Sequence, residues 1–205
     1  MKPEDIERMS FDIIEKEAGD HGFSKKTWPI VRRMIHTSAD FDYINTVRFH
    51  PEAVDAGVSA IRAGKNIVTD TTMALSGVRK KAIEDFGGRV ICYMADPHIG
   101  KKAGETGSTR ARLAVDAAVT DMEAGIYVVG NAPTALLRLI ELIREGKAKP
   151  ALVIGFPVGF VNAAESKAEL LHAGVPYITN EGRKGGSNIA ASVVNALIIM
   201  AGAGH

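Results

Sequence analysis

Apolar and polar positions follow two different patterns along this chain. Over residues 3–18, Ile6, Met9, Ile13 and Ile14 recur at three- and four-residue spacing, which predicts an amphipathic helix. Ser24 is placed to cap a second helix that runs through Trp28, Val31 and Ile35 toward His36. Pro51 fits the first turn of a third, ending near Gly64. From Asn66 onward the pattern changes. Short apolar runs at 66–70, 89–95, 125–131, 151–157 and 176–181 are bounded by Gly, Pro, Asn or Asp and predict strands. Helical patterns fill 72–86, 108–123, 133–146 and 162–174, and a last one, 187–202, ends the alternation. Continuous apolar strands separated by helices imply a parallel sheet covered on both faces. The expectation is one α/β domain over 1–205, with a helical part at 1–65 and an α/β core at 66–205.

That topology directs attention to the loops after the strands, because ligands of open parallel sheets bind beyond the strand carboxyl ends. Five loops qualify: 70–72, 96–108, 130–134, 155–162 and 180–187. In the second, Glu105–Arg112 opens a helix, so free N–H groups with Arg110 and Arg112 suit an anion. Capping by Ser108 or Thr109, with solvated arginines, fits equally well. In the third, Asn131 either donates to a ligand or closes a turn before Pro133. The fourth carries Phe156, Val158 and Phe160 where polar residues belong, which favours a flat apolar ligand or a subunit contact over plugging of the sheet. In the last, Arg183 and Lys184 precede Gly185, Gly186 and a helix start, a cradle for phosphate or carboxylate. The lysine stands before the glycine pair, so this is no Walker loop, and no GxGxxG follows the first strand. Asp70, at a strand end, reads as a cap for the next helix.

Size and charge narrow the class. Apolar residues make up 46% of the 205, enough for a large core. The 25 basic and 24 acidic residues leave a formal charge of +1, which argues against a nucleic-acid-wrapping protein. Cys92 is the only cysteine, so no internal disulfide or cysteine zinc site is expected. His21, His50, His172 and His205 show no metal-ligand pairing. No apolar stretch reaches the roughly 18 residues of a membrane span, and the charged, amphipathic start does not read as a signal peptide. A soluble, cytoplasmic protein without a protein-bound metal is expected.

His36 draws the most interest as chemistry. It follows Arg32 and Arg33 and precedes Thr37, Ser38, Asp40 and Asp42. A histidine exchanges protons near neutral pH, and adjacent arginines hold anions through paired N–H donors. On local sequence alone, a charge complement at a helix end is the more ordinary reading. His98, after a strand end, is the rival acid–base residue.

Several segments together resemble the precorrin-8X methylmutase family of corrin biosynthesis: IERMSF, RRMIH, DTTMALSG, GSTRA, GNAPTAL, GFPVGFVNAAESK and GRKGGS. The resemblance spans nearly the whole chain, and its specific signal is GNAPTAL followed by PVGFV-x-AAESK. It implies a three-layer flavodoxin-like domain, working as a homodimer with sites near the subunit interface. It also implies migration of a methyl group between adjacent ring-C carbons of a tetrapyrrole, without S-adenosylmethionine or another cofactor. The implied product is hydrogenobyrinate, or cobyrinate where cobalt is already in the substrate. The implied catalytic histidine is His36, with Ser10 and Arg33 as substrate contacts; an i, i+3 relation puts Arg33 and His36 on one helix face. Arg110, Asn131, Arg183, Gly185, Gly186 and Ser187 match recurring loop positions and are implied substrate contacts. His98 departs from the related pattern, where an arginine follows the DP pair, and Thr72 stands where an acidic residue occurs. Two readings without turnover accompany this one: a corrinoid-binding or product-delivery protein, and a nucleotide-responsive flavodoxin-like module.

Overall fold

Alternation within the strands assigns each side chain to one of two cores. In the computed structural model, which describes residues 3–203, the apolar runs form β2 (Ile67–Thr69), β3 (Val90–Ile91), β4 (Ile126–Val129), β5 (Leu152–Gly155) and β6 (Tyr177–Asn180). All five are parallel, in the order β3-β2-β4-β5-β6. This is the flavodoxin-like order, with its topological switch point between β2 and β4. Ile67, Ile126, Val128, Leu152, Ile154 and Ile178 face one core, whereas Val68, Tyr127, Val129 and Val153 face the other. Each such fully buried aliphatic side chain contributes about 1.5–3 kcal/mol relative to exposure.

The sheet is not wholly parallel. Val47–Phe49 forms a short strand, β1, that pairs antiparallel with β6 at the outer edge. It lies inside the stretch read as purely helical; three residues are too few to show alternation. A second difference lies in the 96–108 loop, most of which is a helix.

The helices divide between the two faces. One core holds α8 (Arg110–Ala117), α9 (Pro133–Arg144) and α10 (Ala163–Leu170). The other holds α2 (Trp28–Ser38), α4 (Ala53–Arg62) and α11 (Ser187–Gly202). α11 is buried along most of its surface, which explains its nearly unbroken apolar sequence: the sheet lies on one side, α2 and α4 on others. α1 (Pro3–Ala18) packs on α2. Only Ile14 of its predicted apolar stripe is buried; Ile6, Met9 and Ile13 are about half exposed. The short α3 (Tyr43–Thr46) precedes β1. The pattern read as one helix at 72–86 is two, α5 (Thr72–Gly77) and α6 (Lys80–Asp85), broken at extended Val78. α7 (Pro97–Thr106) completes the set. Among the described residues no helix is long and apolar enough to cross a membrane, and no cluster of three metal-ligating side chains occurs. His205 lies outside the described residues.

Candidate functional site

The switch point is filled by the protein itself. Asp70, 2% exposed at the end of β2, turns its carboxylate across to the turn after β4. Oδ1 accepts from Gly130 N at 2.8 Å, and Oδ2 accepts from Asn131 N at 2.9 Å and Ala132 N at 2.8 Å. Three convergent backbone N–H groups form an anion nest. Burial pushes the Asp70 carboxyl above its usual range, against the opposing pull of the three amides. The cap of α5 is Thr71, whose hydroxyl accepts from Ala74 N; the expectation that Asp70 caps this helix is corrected. Thr71 also hydrogen-bonds Ser187 at 2.8 Å, and Gly130 packs on Ser187 so closely that an added Cβ would lie 2.6 Å from its Cα. Asn131 uses its backbone in the nest, and its residue is exposed.

A different arrangement lies on the outer helices. α2 has a first-turn proline and buries Trp28, Ile30, Val31, Met34 and Ile35, leaving Arg32, Arg33 and His36 toward α1 and solvent. Trp28 Nε1 donates to Glu15 Oε2 at 2.8 Å, Arg32 pairs with the same carboxylate at 3.4 Å, and Arg33 pairs with Glu7 at 3.1 Å, so three contacts fasten the helices together. Phe11 of α1 lies among the charged side chains. Its ring centroid is 4.4 Å from the Arg32 guanidinium, 5.4 Å from that of Arg33 and 5.1 Å from the His36 ring. Sequence reasoning missed Phe11, because its role appears only once α1 meets α2.

Ser10 and His36 line one cleft of about 440 Å³, walled by Ile13, Ile14, Ile35 and Phe41 and bearing Glu17. The Ser10 hydroxyl donates to Ile6 O at 2.8 Å, so its oxygen keeps lone pairs free to accept. Arg33 lines a second cleft of about 260 Å³ with Thr37, Gly77, Asn188, Ser192 and Asn195. The i, i+3 spacing therefore leaves Arg33 and His36 as neighbours around Phe11 while they look into adjacent clefts. Asn188, in the first turn of α11, brings the loop after β6 to this second cleft.

The turn after α2 joins the sheet edge to the helices. Ala39 ends α2 in a left-handed conformation, φ 54°, with its N–H on Ile35 O at 2.7 Å. The chain then presents Asp40 and Asp42 to Lys184, at 2.6 and 3.2 Å. The Lys184 hydrogen bond holds the Asp40 carboxyl below its usual range. Arg183, one residue earlier, is exposed with its guanidinium 5.5 Å from the Phe160 ring centroid. Gly186 N donates to Phe156 O at 2.9 Å, and a Cβ on Gly185, at φ +159°, would collide with that carbonyl. Of the apolar loop residues, Phe156 is fully buried and plugs the sheet, whereas Phe160 and Val161 are 83% and 77% exposed.

Two sequence-predicted residues stand apart. Arg110 begins α8 on the opposite sheet face from His36 and donates to Met94 O at 2.7 Å; Thr109 caps that helix. Arg112 pairs with Glu141 through both carboxylate oxygens. His98 is exposed in the first turn of α7, where Asp96 caps its backbone N–H at 2.8 Å.

Known proteins match this chain in sequence and fold along nearly its whole length. The family model CbiC, precorrin-8X methylmutase, matches residues 5–200. The cobalt-precorrin-8 methylmutase of Priestia megaterium is 48% identical over 204 residues, covering 100% of this chain and 91% of its own. The precorrin-8X methylmutase of Pseudomonas aeruginosa is 42% identical over 195 residues, covering 94% of this chain and 93% of its own. A solved precorrin-8X methyl mutase from Thermus thermophilus superposes with a TM-score of 0.92 at 47% identity, covering 98% of this chain and 97% of its own. The chain thus belongs to the precorrin-8X methylmutase family, methyl-shifting isomerases of cobalamin biosynthesis.

Proposed function

We propose that this enzyme moves a methyl group between adjacent carbons of ring C in precorrin-8X or its cobalt form, with His36 as the proton donor and acceptor. The observation that carries this reading is the placement of His36: an exposed imidazole on the wall of a largely apolar cleft, beside Phe11 and two arginines. A corrinoid is a broad apolar ring fringed with carboxylates, so it suits an apolar slot with dispersed cationic donors.

Protonation of the conjugated ring by His36 leaves the carbon next to the methyl-bearing one electron-poor. The methyl group migrates there suprafacially with its bonding pair. Loss of the proton back to His36 restores the imidazolium, extends conjugation and leaves atoms and electrons unchanged overall. A placed acid contributes about 10²–10⁴-fold in rate. Ser10, with free lone pairs in the same cleft, accepts from a ring N–H or an acid group. Arg33 and Asn188 in the adjoining cleft, with Arg183 on its loop, bind peripheral carboxylates. Asn131, Gly185, Gly186 and Ser187 shape the nearby backbone. Arg110 would reach the substrate only by leaving the Met94 carbonyl. The product is hydrogenobyrinate or cobyrinate, according to the substrate's metal.

Two copies of the chain form the working unit. Ile6, Met9 and Ile13 make an exposed apolar stripe on α1, and Ile13 also walls the His36 cleft, so a partner there would enclose the substrate. Sedimentation at micromolar concentration checks the dimer. His36→Ala, folded by circular dichroism and incubated with precorrin-8X, checks the chemistry: loss of turnover with binding retained is expected, and full turnover would remove the role.

A further inference from the structure

We infer that Lys167 is a positioning residue for His36: its buried ammonium holds the loop whose Lys184 holds the turn ending the His36 helix. Lys167 lies on α10, across the sheet from α2, and is 1% exposed. Its Nζ donates to Lys184 O at 2.6 Å and to Asn180 Oδ1 at 3.1 Å. Both acceptors are neutral oxygens, so the charge is solvated by the loop and not neutralised by a carboxylate. Asn180 makes the arrangement directional. Its amide oxygen faces the ammonium, while its Nδ2 donates to Glu181 O and Lys184 O, each at 3.0 Å. One carbonyl, that of Lys184, therefore receives two donors and is fixed from two sides.

The side chain of the same residue leaves in the other direction. Lys184 Nζ reaches Asp40 Oδ2 and Asp42 Oδ2, and Asp40 Oδ1 accepts from Asp42 N at 3.0 Å, which closes the turn. That turn follows Ala39, the left-handed cap of α2 three residues after His36. A left-handed alanine is strained and persists only where its surroundings hold it. The Lys167–Lys184–Asp40 series supplies that hold. Burying a cation is costly unless it is well hydrogen-bonded, and here burial pushes Lys167 down to about 8. An apolar residue would pack at that place without this cost, yet it could not fix the carbonyl.

The inference rests on the proposed role of His36, and its test separates the two. The ring of His36 is titrated by NMR in protein carrying ¹⁵N-labelled histidine, its signal assigned by loss in His36→Ala. Wild type, Lys167→Met, Lys184→Met and the double variant are compared after their folds are checked. Glu7, Glu17, Arg32 and Arg33, the other charged groups around His36, are the same in all four. Release of Asp40 and Asp42 from Lys184 leaves two carboxylates uncompensated near the helix end, so each single variant moves the His36 midpoint upward from that of wild type. The double variant does no more than the larger single one, because both cut the same series. An unchanged midpoint in Lys167→Met, or additive shifts, would overturn the inference. If Lys167→Met does not fold, Lys167→Gln is measured against the same outcomes. Lys184→Met, which removes an exposed ion pair, tests the second link by itself, and an unmoved midpoint there overturns the inference too. Undiminished turnover by His36→Ala would remove the acid role while leaving the titration result to decide the positioning.

Discussion

The switch point of the sheet and the groove between α1 and α2 handle polar groups in opposite ways. At the switch point, a buried carboxylate occupies the three N–H donors of Gly130, Asn131 and Ala132, and the hydroxyls of Thr71 and Ser187 satisfy each other. In the groove, His36 is exposed beside an aromatic ring, and Ser10 keeps accepting capacity. Fold-level reasoning locates a crevice at the carboxyl ends of β2 and β4. A single side chain, Asp70, fills that crevice from within. The same contact weighs against a nucleotide-binding module, since the amides that would meet a phosphate are taken. On the proposed reading of His36, chemistry is displaced by one helix, to where α11 begins and α2 ends.

The contrast can be broken or sharpened by substitution. His36→Ala has the largest expected effect, a 10²–10⁴-fold fall in kcat with the melting temperature little changed. Asp70→Ala should do the reverse. Three amides, two of them in buried residues, lose their acceptor, and the fold should lose about 3–5 kcal/mol in a urea titration. Asp70→Asn, which keeps one acceptor oxygen, should recover part of it. If Asp70→Ala were stable and inactive, the division between the two regions would fail.

Lys167 yields a smaller, pH-dependent effect. Its folded value of about 8 lies below the 10.5 of free lysine. Between those values the unfolded chain binds more protons than the folded one, so this residue makes stability rise with pH across that window. The rise, roughly 3 kcal/mol in full, is measured as the difference between wild type and Lys167→Met in denaturant titrations from pH 7 to pH 11. The variant should lack it. Arg110→Ala has the smallest expected effect, a change in kcat/KM of less than about threefold and under 0.5 kcal/mol of stability. A hundredfold loss would bring the opposite sheet face into the substrate site.

What could be read in advance follows from the range of the interactions involved. The five parallel strands and α11 announce themselves through unbroken apolar runs, since burial on all sides leaves no polar stripe. β1 is silent because Val47–Phe49 is too short for a period, and α7 because Gly100, Lys101, Lys102 and Gly104 obscure helical spacing. The resemblance to the family located Ser10 and His36, and the fold brings them into one cleft. Asp70 and Lys167 were misread or passed over for a common reason. Asp70 meets partners 60 to 62 residues away, and Lys167 meets one 17 residues away on another element. Lys167 in isolation has the look of a solvated helix lysine.

The outermost strands, β1 of three residues and β3 of two, are no longer than inner β2, of three, and shorter than β4, β5 and β6, of four each. A long bare edge offers a ladder of unpaired N–H and C=O groups to any neighbouring chain. Here each rim offers little more than one pairing step. The sheet therefore ends where recruitment of further strands would begin, and an enzyme with exposed apolar residues on α1 and on the 158–161 loop keeps those contacts from spreading into fibrous association.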